Sequence, residues 1–133
     1  MVITRIIQIV LGIAGLGALL LGLLFWIAAI DLISIHMLLG LTVALTLLVM
    51  SIIAVSTRGI RIWGIAGIIY AFIVPIFGLT QSRILIGNLH WLTQTLHLLV
   101  GLGALVLTGM MAARYGTLKR PIAKPSTESQ MVR

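Results

Sequence analysis

His36 and His97 stand in matching apolar phrases, His36-Met37-Leu38-Leu39-Gly40-Leu41 and His97-Leu98-Leu99-Val100-Gly101-Leu102, each with a glycine four residues on. A polar side chain carried inside lipid is costly and marks a functional position by default. Neutral imidazole nitrogens are common iron ligands, and a b-type haem held at both faces needs one on each side plus room for the macrocycle edge. A residue four further along a helix lies on the same face one turn away, so glycine there leaves that room. The pattern predicts haem b (iron) with His36 and His97 as axial metal ligands and Gly40 and Gly101 beside the ring. Iron with two axial imidazoles has no open position, which suits one-electron transfer rather than oxygen chemistry.

Each of these residues also has a plainer reading. Small residues are the usual device for bringing membrane helices close together, which would account for Gly40 and Gly101 without a cofactor. A buried imidazole can be hydrogen-bonded across helices, with Thr42, Thr46 or Thr93 as partners. His90 precedes His97 by seven residues, two turns on nearly the same face. Beside Trp91 it suits headgroup anchoring, capping of the site or a hydrogen bond to a propionate. Gln94 is placed to orient a ligand or a quinone carbonyl, and equally to form an interhelical amide contact. Arg83 suits a propionate partner or a snorkelling loop cation. Asp31, five residues before His36, fits the positive N-terminus of a helix. Pro75 predicts a kink in its helix. The methionines read as packing, with axial ligation a lesser alternative. The chain has no cysteine, which removes disulfides, thiolate ligands, covalent c-type haem and iron–sulfur clusters.

The elements that must position these residues follow from composition. The chain has 133 residues, is 61% hydrophobic and 8% charged, and has a mean hydropathy of +1.26. That is far more apolar surface than a soluble core of this size can hide. Spans of about 20 residues fit at 6–29, 32–55, 60–79 and 90–113. The first is too long for a signal-peptide core and reads as a retained span. Residues 1–115 form the expected transmembrane domain, and 116–133 a basic, flexible cytoplasmic tail.

The net charge of +7 does not point to nucleic acid, because the basic residues sit at span ends rather than along one face. Of nine basic residues only Arg83 falls on the side opposite Arg5, the 56–61 turn and the tail. The positive-inside rule then places both termini in the cytoplasm. Short connections and an even span number predict an all-α, up-down-up-down bundle whose second and fourth helices run parallel. A shift of 61 residues lays His36 on His97, Gly40 on Gly101 and Met50 on Met111. A weaker echo joins Gly12-Ile13-Ala14-Gly15 to Gly64-Ile65-Ala66-Gly67. Such a repeat of helix pairs predicts approximate two-fold symmetry about the membrane normal, with the histidines facing each other near the axis.

Ile35-His36-Met37-Leu38-Leu39-Gly40 and Gln94-Thr95-Leu96-His97-Leu98-Leu99-Val100-Gly101 resemble one half of haem A synthase, whose two four-helix halves place histidines on their second and fourth spans. They resemble, less specifically, other four-helix b-type cytochromes of membranes. The resemblance implies haem ligation by His36 and His97. That family pairs two bundles and carries an extracytoplasmic acid, whereas residues 80–89 hold none, so the resemblance does not extend to synthase activity. The expected setting is the inner (plasma) membrane of a prokaryote, with quinone, a second copy or a partner redox subunit completing the electron path. The rival readings are a cofactor-free structural or assembly subunit of a larger complex and a small quinone-binding subunit using His90, Gln94 and Arg83.

Overall fold

The computed structural model describes residues 2–28 and 30–119. Within them lie four helices, α1 (Val2–Ala28), α2 (Ile33–Val55), α3 (Arg61–Thr80) and α4 (His90–Leu118), and a short 3-10 turn at Gln81–Arg83. All four are long and apolar enough to cross a membrane, which makes the chain a multi-pass membrane protein. α1 starts four residues before the expected span, and α4 runs five beyond it through Leu118, so residues 116–118 are helical rather than part of a tail. The remainder of the expected tail, 120–133, lies outside the described residues.

Leucine, isoleucine and valine cover every face of these helices because lipid, not water, surrounds them. Leu45, Val49 and Ile52 on α2 and Ile65, Ile69 and Ile76 on α3 are all exposed. α2 is the central helix. Buried positions make up 39% of its most apolar stretch, against 17 to 22% in the other three. It touches α1, α3 and α4, and α4 in turn touches α1 and α3, whereas among the described residues α1 and α3 do not meet. The histidine-bearing helices therefore form the short diagonal of the bundle.

The core gathers Ile7, Leu11 and Ala14 of α1 with Val43, Ala44, Leu47, Met50 and Ala54 of α2, Ala71 and Val74 of α3, and Ala104, Met111 and Ala112 of α4. Met50 and Met111, which the 61-residue shift superposes, are both fully buried there. The two fully buried hydroxyls of the core are satisfied within their own helices: Ser51 Oγ donates to Leu47 O at 2.6 Å and Thr108 Oγ1 to Ala104 O at 2.7 Å. In lipid every such group must find an internal partner. Glycine sets the closest approach. A Cβ at Gly64 would lie 2.5 Å from the Val55 nitrogen and 2.7 Å from the Ser51 oxygen, so α3 rests directly on the α2 backbone.

Turn chemistry closes the ends. Gly59 (φ 98°) lies between α2 and α3 and Gly87 (φ 93°) before α4, both in the left-handed region that glycine enters without steric cost. At the start of α2 the Asp31 carboxylate accepts a long bond from the Ile33 N–H at 3.4 Å, the placement expected for an acid at a helix N-terminus. Pro75 lies inside α3 and leaves the helix continuous from Arg61 to Thr80.

Candidate functional site

The other half of the bundle is not filled. Between all four helices, at the end where α1 leaves and α2 and α4 begin, is a cavity of about 660 Å³. Cofactor and ligand sites span roughly 300–1,000 Å³, so the space is of that size. His36 and His97 both line it, with ring centroids 5.9 Å apart and planes inclined by 54°. Gly40 and Gly101 line it as well, and a Cβ built on either would find no atom within 4 Å. These two glycines are therefore walls of a space, and the close helix packing of this bundle is carried by others such as Gly64.

Each histidine is backed by a glycine of the preceding helix. A Cβ at Gly22 of α1 would come within 3.1 Å of His36 Cε1, and one at Gly78 of α3 within 3.3 Å of His97 Cε1. Sequence reasoning missed both, because the signal lies in neither helix's own pattern but in the depth at which two helices meet.

The bonds made by the rings differ. His36 Nδ1 lies 2.8 Å from Ala18 O of α1, one turn before Gly22. A carbonyl only accepts, so Nδ1 carries the proton and Nε2 keeps its lone pair. A ligating histidine is commonly fixed in this way, its second nitrogen donating to a backbone carbonyl. His97 stacks on Phe77, centroids 6.0 Å apart and planes at 27°. Its Nδ1 is buried and has no hydrogen-bond partner. None of Thr42, Thr46 and Thr93 bonds to either histidine: their hydroxyls donate to the carbonyls of Leu38, Thr42 and Ile84.

His90 and Gln94 line the cavity too, His90 with Nδ1 3.4 Å from Ile84 O. Arg83 is exposed and is not among the lining residues. Its neighbours Gln81 and Ser82 are, and the Gln81 Oε1 is buried without a partner. Nothing in the sequence singles out Gln81, a loop amide with no periodic context. Among the described residues, Gln81 Oε1 and His97 Nδ1 are the buried side-chain atoms left unpaired, and both belong to residues of this cavity. An unpaired buried polar atom costs about 1–3 kcal/mol, and here both such atoms belong to wall residues and lie shut off from the open space itself. Among the described residues no Asp, Glu, Lys or Arg lines the cavity.

Between α3 and α4 the Tyr70 hydroxyl donates to Val100 O at 3.0 Å, next to Gly101. This bond fixes how the two helices lie beside the site.

Among the described residues no group of three or more His, Cys, Asp or Glu side chains could hold a metal on protein donors alone. A porphyrin supplies four nitrogens itself and asks only for axial donors, so that finding leaves the two-histidine arrangement open. No family model, curated protein or solved structure matches this chain.

Proposed function

We propose that the protein is a membrane b-type cytochrome that binds one haem b in the cavity through His36 and His97 and passes single electrons. One observation carries the reading: two imidazoles from different helices face one cavity, each with an open-space glycine one turn on. His36 of α2 and His97 of α4 would supply the two nitrogens that hold the iron. The centroids of His36 and His97 are separated by 5.9 Å. The Ala18 carbonyl holds His36 in the tautomer that a ligand needs. Gly40 and Gly101 leave free the space that any Cβ would enter.

When bound, haem supplies a one-electron iron couple whose potential follows from its axial ligands and burial. The chain's own part is to orient two neutral nitrogens, exclude water with apolar walls and offer neutral hydrogen bonds from Ser34, Gln81, Ser82 and His90 where the helices begin and end. A charged ligand substituent must reach past that end, since the described walls carry no Lys or Arg. An up-down-up-down topology with cytoplasmic termini, a two-fold repeat of helix pairs and a prokaryotic inner membrane belong to the same proposal. A haem near one face cannot carry charge across the bilayer alone, so a quinol, a second copy or a redox subunit completes the path.

The uncharged lining, with the side chains of Gln81, His90 and Gln94 in the cavity wall, also favours a second reading, a quinone-binding subunit. A cofactor-free structural subunit does not account for the empty space beside Gly40 and Gly101. The deciding experiment is a reduced-minus-oxidised spectrum of the detergent-purified chain with pyridine haemochrome quantification, repeated for His36→Ala and His97→Ala. A sharp low-spin b-type band at about one haem per chain, lost or turned high-spin in both variants, is expected. A preparation that stays colourless after haem is supplied, yet is stabilised by a quinone analogue, transfers the site to the second reading.

A further inference from the structure

The two histidines are alike in sequence context and unlike in how they are held. His36 is fixed along one edge of its ring: Gly22 lets α1 come up to Cε1, and the Ala18 carbonyl one turn away accepts a hydrogen bond from the adjoining Nδ1–H. His97 has the matching glycine, Gly78, against its Cε1, but no carbonyl or side chain bonds its Nδ1. Val74, the residue one turn before Gly78, stands where Ala18 stands in the other pair, and its carbonyl receives no bond from His97. What holds His97 is the face of Phe77. A stacked ring resists tilting, but a face contact can slide. The 2.8 Å bond from His36 to a helix carbonyl fixes direction. The unpaired polar atoms also cluster on one side, His97 on α4 and Gln81 just after α3, while the α1–α2 wall is satisfied.

We propose that His36 is the fixed nitrogen donor of this site and His97 the exchangeable one, so that a small neutral lone-pair ligand of the imidazole or carbon monoxide class enters on the α4 side in place of His97. The inference rests on the haem reading above. Exchange is a simple substitution: the His97 nitrogen lone pair leaves, another lone pair takes its place, and no electron or proton changes hands. A hydrogen-bond partner behind a ligating histidine typically changes metal affinity about 10–100-fold, so its presence on one side only makes the two ligands unequal by about that factor.

Haemin titrations of His36→Gly and His97→Gly in detergent, with free imidazole as the added ligand, test this. His97→Gly is expected to keep about one haem per chain in a high-spin form that millimolar imidazole returns to low spin. His36→Gly is expected to bind haem at least about tenfold more weakly than His97→Gly. The ferrous native chain is expected to take up carbon monoxide. Size-exclusion profile and helical circular dichroism of each variant guard against misfolding. As a milder pair, Gly22→Ala should weaken haem binding more than Gly78→Ala, since it pushes His36 from its carbonyl. Equal losses in the two glycine variants, or a greater loss in His97→Gly, would overturn the assignment while leaving the haem reading intact. A native chain that binds no haem would overturn both, and the absence of a Soret band identifies that case separately.

Discussion

An imidazole has two nitrogens, and in this cavity their division of labour decides what the residue can do. His36 spends Nδ1 on the Ala18 carbonyl and keeps Nε2, while His97 leaves Nδ1 buried and unmatched. The glycines one turn on complete the site, since their missing side chains open onto the same space. Gly40→Leu and Gly101→Leu should each fold normally, because a Cβ there touches nothing, and should then fill the cavity with a side chain. We expect roughly a tenfold or larger loss of haem affinity, about 1.4 kcal/mol or more, with an unchanged thermal midpoint of the haem-free protein in detergent. A fall in that midpoint would mean that these glycines serve helix packing after all. His36, His97, Gly40 and Gly101 are legible in the sequence because a repeated polar residue in an apolar run has few explanations. Ala18, Gly22, Phe77, Gly78 and Gln81 are not, because their roles arise only where two elements meet. Arg83 and Gln81 make the contrast plain: charge draws attention to the arginine, and the backbone sets the neighbouring amide against the cavity instead.

At the scale of elements, the helices are predictable to within five residues, since apolar length and the basic ends leave little choice. Their packing is less so. The echo between Gly12-Ile13-Ala14-Gly15 and Gly64-Ile65-Ala66-Gly67 suggests equivalent contacts, yet Gly64 rests on the α2 backbone whereas a Cβ at Gly12 would meet nothing within 4 Å. Short glycine motifs recur by chance in such a composition, and only the partner helix decides which of them is used. Gly64→Leu should therefore force α3 away from α2 at a cost of at least the about 1–3 kcal/mol usual for overpacking. Gly12→Leu should be near neutral. Thermal unfolding of the two variants in one detergent separates them, and equal midpoints would contradict the packing described. The Tyr70 bond to Val100 is a smaller device of the same kind. Tyr70→Phe is expected to cost about 0.6 kcal/mol, the average for interhelical bonds in lipid. Little haem should be lost with it, because the phenol lies outside the cavity.

For the whole molecule, the division into a packed half and an open half matters more than any single contact. Met50, Ser51, Thr108 and Met111 are fully buried toward one end of the bundle and the cavity occupies the other, so a bound ligand would lie toward one side of the membrane. Charge indicates which side. Arg58, Arg61, Arg114 and Lys119 flank the packed end, Arg114 lying over the Trp63 ring at 5.3 Å, whereas the connections beside the cavity carry Asp31 and Arg83. Under the proposed orientation, which rests on the positive-inside rule, the cavity would open to the extracytoplasmic face. The absence of cysteine from the chain allows a direct check with single substitutions. Ser56→Cys in the α2–α3 turn and Asn88→Cys before α4 are both at exposed positions. In intact spheroplasts a membrane-impermeant maleimide should label Asn88→Cys at once and Ser56→Cys only after lysis. The reverse pattern would turn the cavity toward the cytoplasm, and electron donors would then have to be sought there. Agreement would direct the search for donors to the proposed haem toward quinol within the membrane or redox partners on the outer face, because the packed core separates the cavity from the opposite end of the bundle.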